Sequence, residues 1–344
     1  MEIRNKCFKY ITGIMLLFLC CDIQAQDIHF SQFYASPLTL NPAMTGSFDG
    51  KVRATLQYRE QWRSFMEPYT TSGASIEHAW ARKSDKIGAG LNFVNDKTGT
   101  SAGINTFKVH LSTAYNKIIS MSNGTAVLLA TGFQVGYSKK NAFGTFTYPD
   151  QWVNGNFNPT VGLETDPFLS PGYLDVNFGT IISYVFDPVY NSSVFLGASA
   201  FHLNQPSEIF IKETVDNKLA TRSVLHGGSN LVFAQGVMTI TPNFIMMFQN
   251  GAREINMGSS FEYNFAMVSS INARVSLGSW YRLDDAVIIG AGLAVKDFQF
   301  GFSYDINTSD LTLASDGKGA FELTMRYIFK SKFLSLEANP YITM

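Results

Sequence analysis

The sequence predicts an all-β fold, a transmembrane antiparallel barrel of about 14 strands. Three observations carry this. Charged residues make up only 15% of the chain, against roughly 25% in ordinary soluble domains, while aromatics reach 14%. No run after the first 25 residues is long and apolar enough for a membrane helix, which needs about 20 such residues. Apolar and polar residues instead alternate with a period of two, the pattern of strands that show one face to lipid and the other to a polar interior.

The chain opens on a secretory signal, residues 1–25. Arg4, Lys6 and Lys9 form a basic start, Tyr10 to Cys21 is apolar but too short to span, and Ala25 before Gln26 suits a cleavage site. Cys20 and Cys21 raise the rival reading of a lipoprotein signal. Leu19 is bulky where the residue before a lipidated cysteine is small. Cys7, Cys20 and Cys21 all fall in this segment, so the mature chain is expected to have no disulfide, thiol chemistry or cysteine metal site. Residues 26–50 precede the first strand as a periplasmic or plug segment, residues 51–329 form the barrel, and residues 330–344 form a tail. Both ends are expected on the periplasmic side.

The strands are read from the alternation. It is clearest from Phe298 (Phe300, Phe302, Tyr304 and Ile306 on one face), from Ile255 (Met257, Ser259, Phe261, Tyr263, Phe265) and from Phe321 (Leu323, Met325, Tyr327, Phe329). It recurs from Val52, Phe107 and Val127, and further strands start near Thr70, Lys86, Leu174, Ser193, Arg222, Met238, Ile271 and Asp285. The links give a second test, because barrels of this class alternate short periplasmic turns with long outer loops. Gln61–Tyr69, Asp96–Gly103, Ser138–Gly172, Leu203–Thr221 and Asn307–Gly319 are long. Arg82–Asp85, Ser120–Gly124, Gln235-Gly236 and Lys296-Asp297 are short. Only the outer link near Leu283–Asp285 departs from this parity.

The polar face carries Arg53, Arg59, Lys108, Arg274, Arg282 and Arg326 together with Asp175, Glu262, Asp305 and Glu322. Mixed signs predict ion-paired packing in the lumen, not a ring of one charge that selects an ion. Glycine pairs such as Gly88-Gly90 and Gly290-Gly292 either admit a close neighbour inside the barrel or relieve crowding and set curvature; the second reading is preferred.

Other chemistries lack support. A net charge of -1 gives no basic footprint for nucleic acid. His29, His78, His110, His202 and His226 show no metal-ligand spacing, and no nucleophile elbow or phosphate-binding loop is present, so no cofactor is expected. A Ser-His pair is conceivable only where His202 or His226 lies near Ser199 or Ser229. No catalytic residue is assigned.

The stretch DIHFSQFYASPLTLNPAMTGS (Asp27 to Ser47) resembles the opening of the PorP/SprF family of type IX secretion system membrane proteins. The resemblance continues through YREQWRS (Tyr58 to Ser64), YTTSGASIEHAW (Tyr69 to Trp80), GAGLNFVNDKTGT (Gly88 to Thr100), GFQVGYSKK (Gly132 to Lys140) and GASAFHLNQPSEIF (Gly197 to Phe210). Many members end in a short Cys-Pro tail, whereas this chain ends EANPYITM. The resemblance implies a Bacteroidetes outer-membrane protein of secretion and gliding motility. Its partners would be components of that machinery or a secreted surface adhesin, with lipid around the barrel.

Two aromatic segments are candidate sites. Phe30, Phe33, Tyr34, Leu40, Asn41 and Pro42 belong to the opening motif, where Pro37 and Pro42 forbid a long helix. This segment either plugs its own barrel or docks on a periplasmic component. Phe143, Phe146, Tyr148, Trp152 and Phe157 crowd the link Ser138–Gly172, as a lid over the mouth or a platform for a secreted partner. The function expected is a non-enzymatic accessory barrel that supports secretion or surface attachment of a partner, or anchors the machinery. The alternative is a porin-like channel for small solutes.

Overall fold

A computed structural model describes residues 27–64, 66–82, 85–144, 152–153, 156–158, 172–208 and 218–330. Fourteen strands close into one antiparallel barrel. They are β1 (Val52–Gln61), β2 (Tyr69–Arg82), β3 (Asp85–Thr98), β4 (Gly103–Ser122), β5 (Thr125–Phe143), β6 (Tyr173–Asp187), β7 (Ser192–Phe201), β8 (Arg222–Phe233), β9 (Met238–Gln249), β10 (Ala252–Asn264), β11 (Ala273–Arg282), β12 (Ala286–Val295), β13 (Phe298–Asn307) and β14 (Lys318–Phe329). Each strand pairs with its neighbours in sequence. The pairing of β1 with β14, from Val52↔Phe329 to Gln61↔Ala320, closes the wall and leaves the barrel no free side. Before β1, Phe33–Ala35, Pro37–Leu40 and Pro42–Met44 form single helical turns, as short as the two prolines require.

The alternation sorts the side chains as the period of two dictates. On β13, Phe298, Phe300 and Phe302 stand exposed while Ser303 and Asp305 are buried. On β1, Leu56 and Tyr58 face out while Arg53, Thr55 and Arg59 face in. Exposed apolar residues thus wrap the outside, and charge is collected inside. An apolar outer wall with a polar interior is the arrangement a lipid bilayer stabilises.

Strand ends differ from the sequence reading in places. β4 and β5 run for 20 and 19 residues, well past the roughly 9–11 a membrane strand needs. β4 stops pairing with β3 at Lys117 and β5 stops pairing with β6 at Ser138. The β4–β5 ladder continues to Ser122↔Thr125 at one end and Gly103↔Phe143 at the other, so the hairpin supplies its own hydrogen bonds there. Phe265, expected within a strand, lies in a helical turn. The Asn264 side chain accepts the Ala266 N–H at 3.2 Å and ends the ladder.

The end of the barrel holding links 62–68, 99–102, 144–172, 202–221 and 308–317 is called the loop end, and the opposite end the turn end. The parity departs at Leu283–Asp285, at 265–272, a long link at the turn end, and at Asn250-Gly251, a tight turn at the loop end. Both residues there take positive φ (47° and 80°), the backbone that a two-residue hairpin demands. At the loop end the Glu67 carboxylate accepts the N–H groups of Ser101 (2.9 Å) and Thr100 (2.6 Å), tying two links together. Those donors hold its pKa down at about 2.

Candidate functional site: the occupied lumen

Residues 27–48 lie inside the barrel and bond to inward-facing residues of most of the wall. The path runs from the loop end to the turn end. At the start, the Asp27 carboxylate meets Lys108 of β4 at 2.8 Å, His202 at 2.5 Å and Arg222 of β8 at 3.6 Å, and its N–H donates to Gln249 of β9 at 3.0 Å. Asp27 therefore lies in the loop-end half of the lumen. The cations that compensate its buried charge sit in the loop-end half of the wall. His202 is braced in turn by Asp175, whose Oδ1 lies 2.8 Å from Nδ1. Carboxylates only accept, so a ring flanked by two of them is satisfied when both nitrogens donate.

Further along, Ser31 and Gln32 donate their N–H groups to the Glu322 carboxylate (2.7 and 3.2 Å), and Ser31 Oγ donates to Asp305 (2.7 Å). Arg282 and Arg59 hold Asp305 at 2.7 and 3.5 Å. Phe33 and Leu40 then enter an apolar cluster with Phe201, Val224, Ile245, Trp280 and Ile288, all from the loop-end half of the wall. Asn41 is the hub. Its Nδ2 faces Thr180 O, Ala198 O and His226 Nε2 (3.2, 3.2 and 3.0 Å), while its Oδ1 accepts the Ala43 N–H. Ser199 Oγ and Gln134 Nε2 donate to the carbonyls of Leu40 (2.8 Å) and Leu38 (3.1 Å). Backbone groups that water would satisfy in an unfolded segment are thus satisfied by the wall. Each such bond contributes about 0.5–1.5 kcal/mol net.

The segment leaves over Arg53 and Glu77, a bidentate pair at 2.7 and 2.8 Å. Gly46 donates its N–H to Glu77 at 3.0 Å, and Lys86 Nζ donates to Phe48 O at 2.6 Å. Glycines let the backbone in. A Cβ on Gly88 would collide with the Thr45 carbonyl, and one on Gly132 with the Pro42 carbonyl. The preferred reading of Gly88 as a curvature device is therefore replaced by close approach of residues 45–46. Gly290 and Gly292 contact only wall side chains, Trp280 and Ser276, at such distances.

Of the opening motif, Phe30, Phe33, Leu40, Asn41 and Pro42 are buried in the lumen, and Tyr34 is 38% exposed. Of the loop residues, Phe143 carries Lys97 Nζ over its ring at 4.4 Å. Trp152 and Phe157 are backbone partners in a two-residue hairpin outside the barrel sheet. Phe146 and Tyr148 lie outside the described residues, as do the expected signal and residues 331–344 of the expected tail. Sequence reasoning missed Glu77, Gln134 and His226 as contacts of the segment. Their positions on the inward face of the alternation were the available signal. Among the described residues, neither Ser199 nor Ser229 hydrogen-bonds a histidine, and no cluster of His, Cys, Asp and Glu could hold a metal.

A closed 14-stranded antiparallel barrel with an apolar outside and a polar inside defines an outer-membrane β-barrel protein. Residues 23–327 match the family described as type IX secretion system membrane protein PorP/SprF, and the chain belongs to that family. It is a family of secretion-system membrane barrels, not of enzymes. No curated protein matches the chain. Among solved structures it is similar to the CymD monoaromatic hydrocarbon channel (8% identity, 86% of this chain and 93% of that one, TM-score 0.50). It is also similar to CdiB from Acinetobacter baumannii (7% identity, 80% and 60% covered, TM-score 0.44), of which it spans less than two thirds. Omp33 of the same organism matches at 8% identity (82% and 100% covered, TM-score 0.39). These likenesses concern the fold alone.

Proposed function

We propose that this chain is a non-enzymatic accessory barrel of the type IX machinery, closed by its own N-terminal segment. It supports secretion or surface attachment of a partner such as an adhesin, or anchors the machinery in the outer membrane. The observation that carries this reading is the bonding of residues 27–48 to the lumen wall from Asp27 to Phe48. A diffusive porin needs that space for solute. The aromatic link, with Phe143, Phe146, Tyr148, Trp152 and Phe157, is the surface proposed for the secreted partner, because aromatic residues concentrate interface energy.

Purified protein in planar bilayers is expected to pass little steady current, and deletion of Asp27 to Ser47 to open a stable conductance in a barrel that still shows heat-modifiable gel mobility. A large, stable conductance of the intact protein would instead support the porin reading.

In this proposal the loop end faces outward. Protease added to intact cells is expected to cut within 144–172 or 202–221, and to spare Ser120–Gly124 and Lys296-Asp297 until the outer membrane is opened. The opposite pattern would reverse the orientation.

A further inference from the structure

The N-terminal segment does not fill the lumen evenly. A cavity of about 220 Å³ remains between it and the turn-end halves of β10 to β14. Its inner end is closed by Tyr34, which stacks on Trp280 with ring centroids 5.1 Å apart and planes 23° apart. At its other end sit Arg274 and Glu262, partly exposed and paired at 3.4 Å. The cavity is therefore a blind pocket opening toward the turn end, with Gly290, Gly292 and Gly301 keeping its wall thin.

The polar groups lining this pocket are incompletely used. Arg326 donates to Gln299 Oε1 (3.3 Å) and Ala35 O (3.1 Å), but its Nε is buried without a partner, and no carboxylate among the described residues comes within ion-pair distance. The Thr324 side chain is 7% exposed, and its Oγ1 also lacks a partner. The Tyr34 hydroxyl bonds to no described residue. It is the one aromatic of the opening motif left accessible, and it lines this cavity. A half-buried guanidinium without an acid, next to an unpartnered hydroxyl and a free phenol, is a site short of an acceptor-only group.

We infer that this blind pocket binds a carboxylate-bearing chain end, the C-terminal residues of an extended peptide entering from the turn end. Arg326 and the Tyr34 hydroxyl would meet the carboxylate, and Arg274 at the mouth would meet backbone carbonyls of the preceding residues. A closed inner end excludes a strand passing through, and the volume suits two or three small residues. Arginine is the side chain whose planar fork matches a carboxylate. The inference goes beyond the accessory role above and holds whichever partner that role involves.

The test is isothermal titration of the full-length protein in detergent with acetyl-Gly-Ala-Ala as the free acid and as its amide. The acid is expected to bind, the amide at least about tenfold more weakly, as loss of a charge-assisted bond implies. Arg326→Gln should weaken the acid far more than the amide, so that the preference for the acid is lost. Tyr34→Phe, which keeps the stack on Trp280, should weaken the acid several-fold. It gives an independent reading if the arginine variant fails the heat-modifiability control. Acetate and inorganic phosphate should not displace the peptide at equal concentration. No binding by the acid, equal binding of acid and amide, or displacement by acetate or phosphate at equal concentration would each overturn the proposal.

Discussion

Gly132→Val is expected to convert a closed barrel into a conducting one. Gly132 lies on β5 with its missing side chain directed at the Pro42 carbonyl and the Ala43 N–H, and a Cβ there would overlap both. The wall cannot yield, because Gly132 is paired on both sides, to Ala114 of β4 and Gly179 of β6. The segment must move instead. Its hub, Asn41, is the adjacent residue, so the displacement breaks the contacts to Thr180, Ala198 and His226 together. Valine itself suits a strand, so the wall should survive the change. The measurements are single-channel recording and heat-modifiable mobility of the same preparation. A folded variant with the wild type's low current would mean that residues 41–46 shift without unblocking the lumen. Closure would then rest on the apolar cluster around Phe33 and Leu40.

Most of the wall was legible in the sequence because lipid imposes a rule on every strand. Phe298, Phe300 and Phe302 must face out, and one residue of slip would turn Asp305 into the bilayer. That constraint is local and repeats, so a single sequence shows it. The interior obeys no such repeat. Glu77 and Asn41 meet their partners only after the barrel closes, across 31 residues for Glu77 with Gly46 and 185 for Asn41 with His226. The opening motif could be seen to need burial, since Phe30, Phe33 and Leu40 are apolar in a segment without a strand pattern. Its direction of travel could not be seen, because this depends on where Lys108, His202 and Arg222 converge on Asp27. The glycines illustrate the same limit. Gly88 and Gly290 look alike in sequence, yet the first receives the Thr45 carbonyl and the second faces Trp280.

The second large effect is expected at the turn end, where Glu77→Ala should destabilise both the barrel and the N-terminal segment in its lumen. Glu77 is almost wholly buried and is the only carboxylate on Arg53 among the described residues. It also accepts the Gly46 N–H. Removing it strands a buried guanidinium, which costs about 3–5 kcal/mol, far more than the net worth of the intact pair. The loss should appear as a lower temperature for the shift from the compact to the unfolded band on gels. Loss of the Gly46 acceptor should add flickering current in bilayers. The double variant Arg53→Met with Glu77→Leu separates the causes. It removes the orphaned charge and refills the volume, so most of the thermal stability should return, because well-packed apolar residues commonly replace a buried pair at little cost. The conductance should not return to wild type, since neither new side chain can accept the Gly46 N–H or donate to the Met44 carbonyl, which Arg53 reaches at 3.5 Å. A double variant that restores stability and closure together would show that residues 44–46 are held by shape, through Gly88 and Ala79, and that the ion pair serves the wall alone.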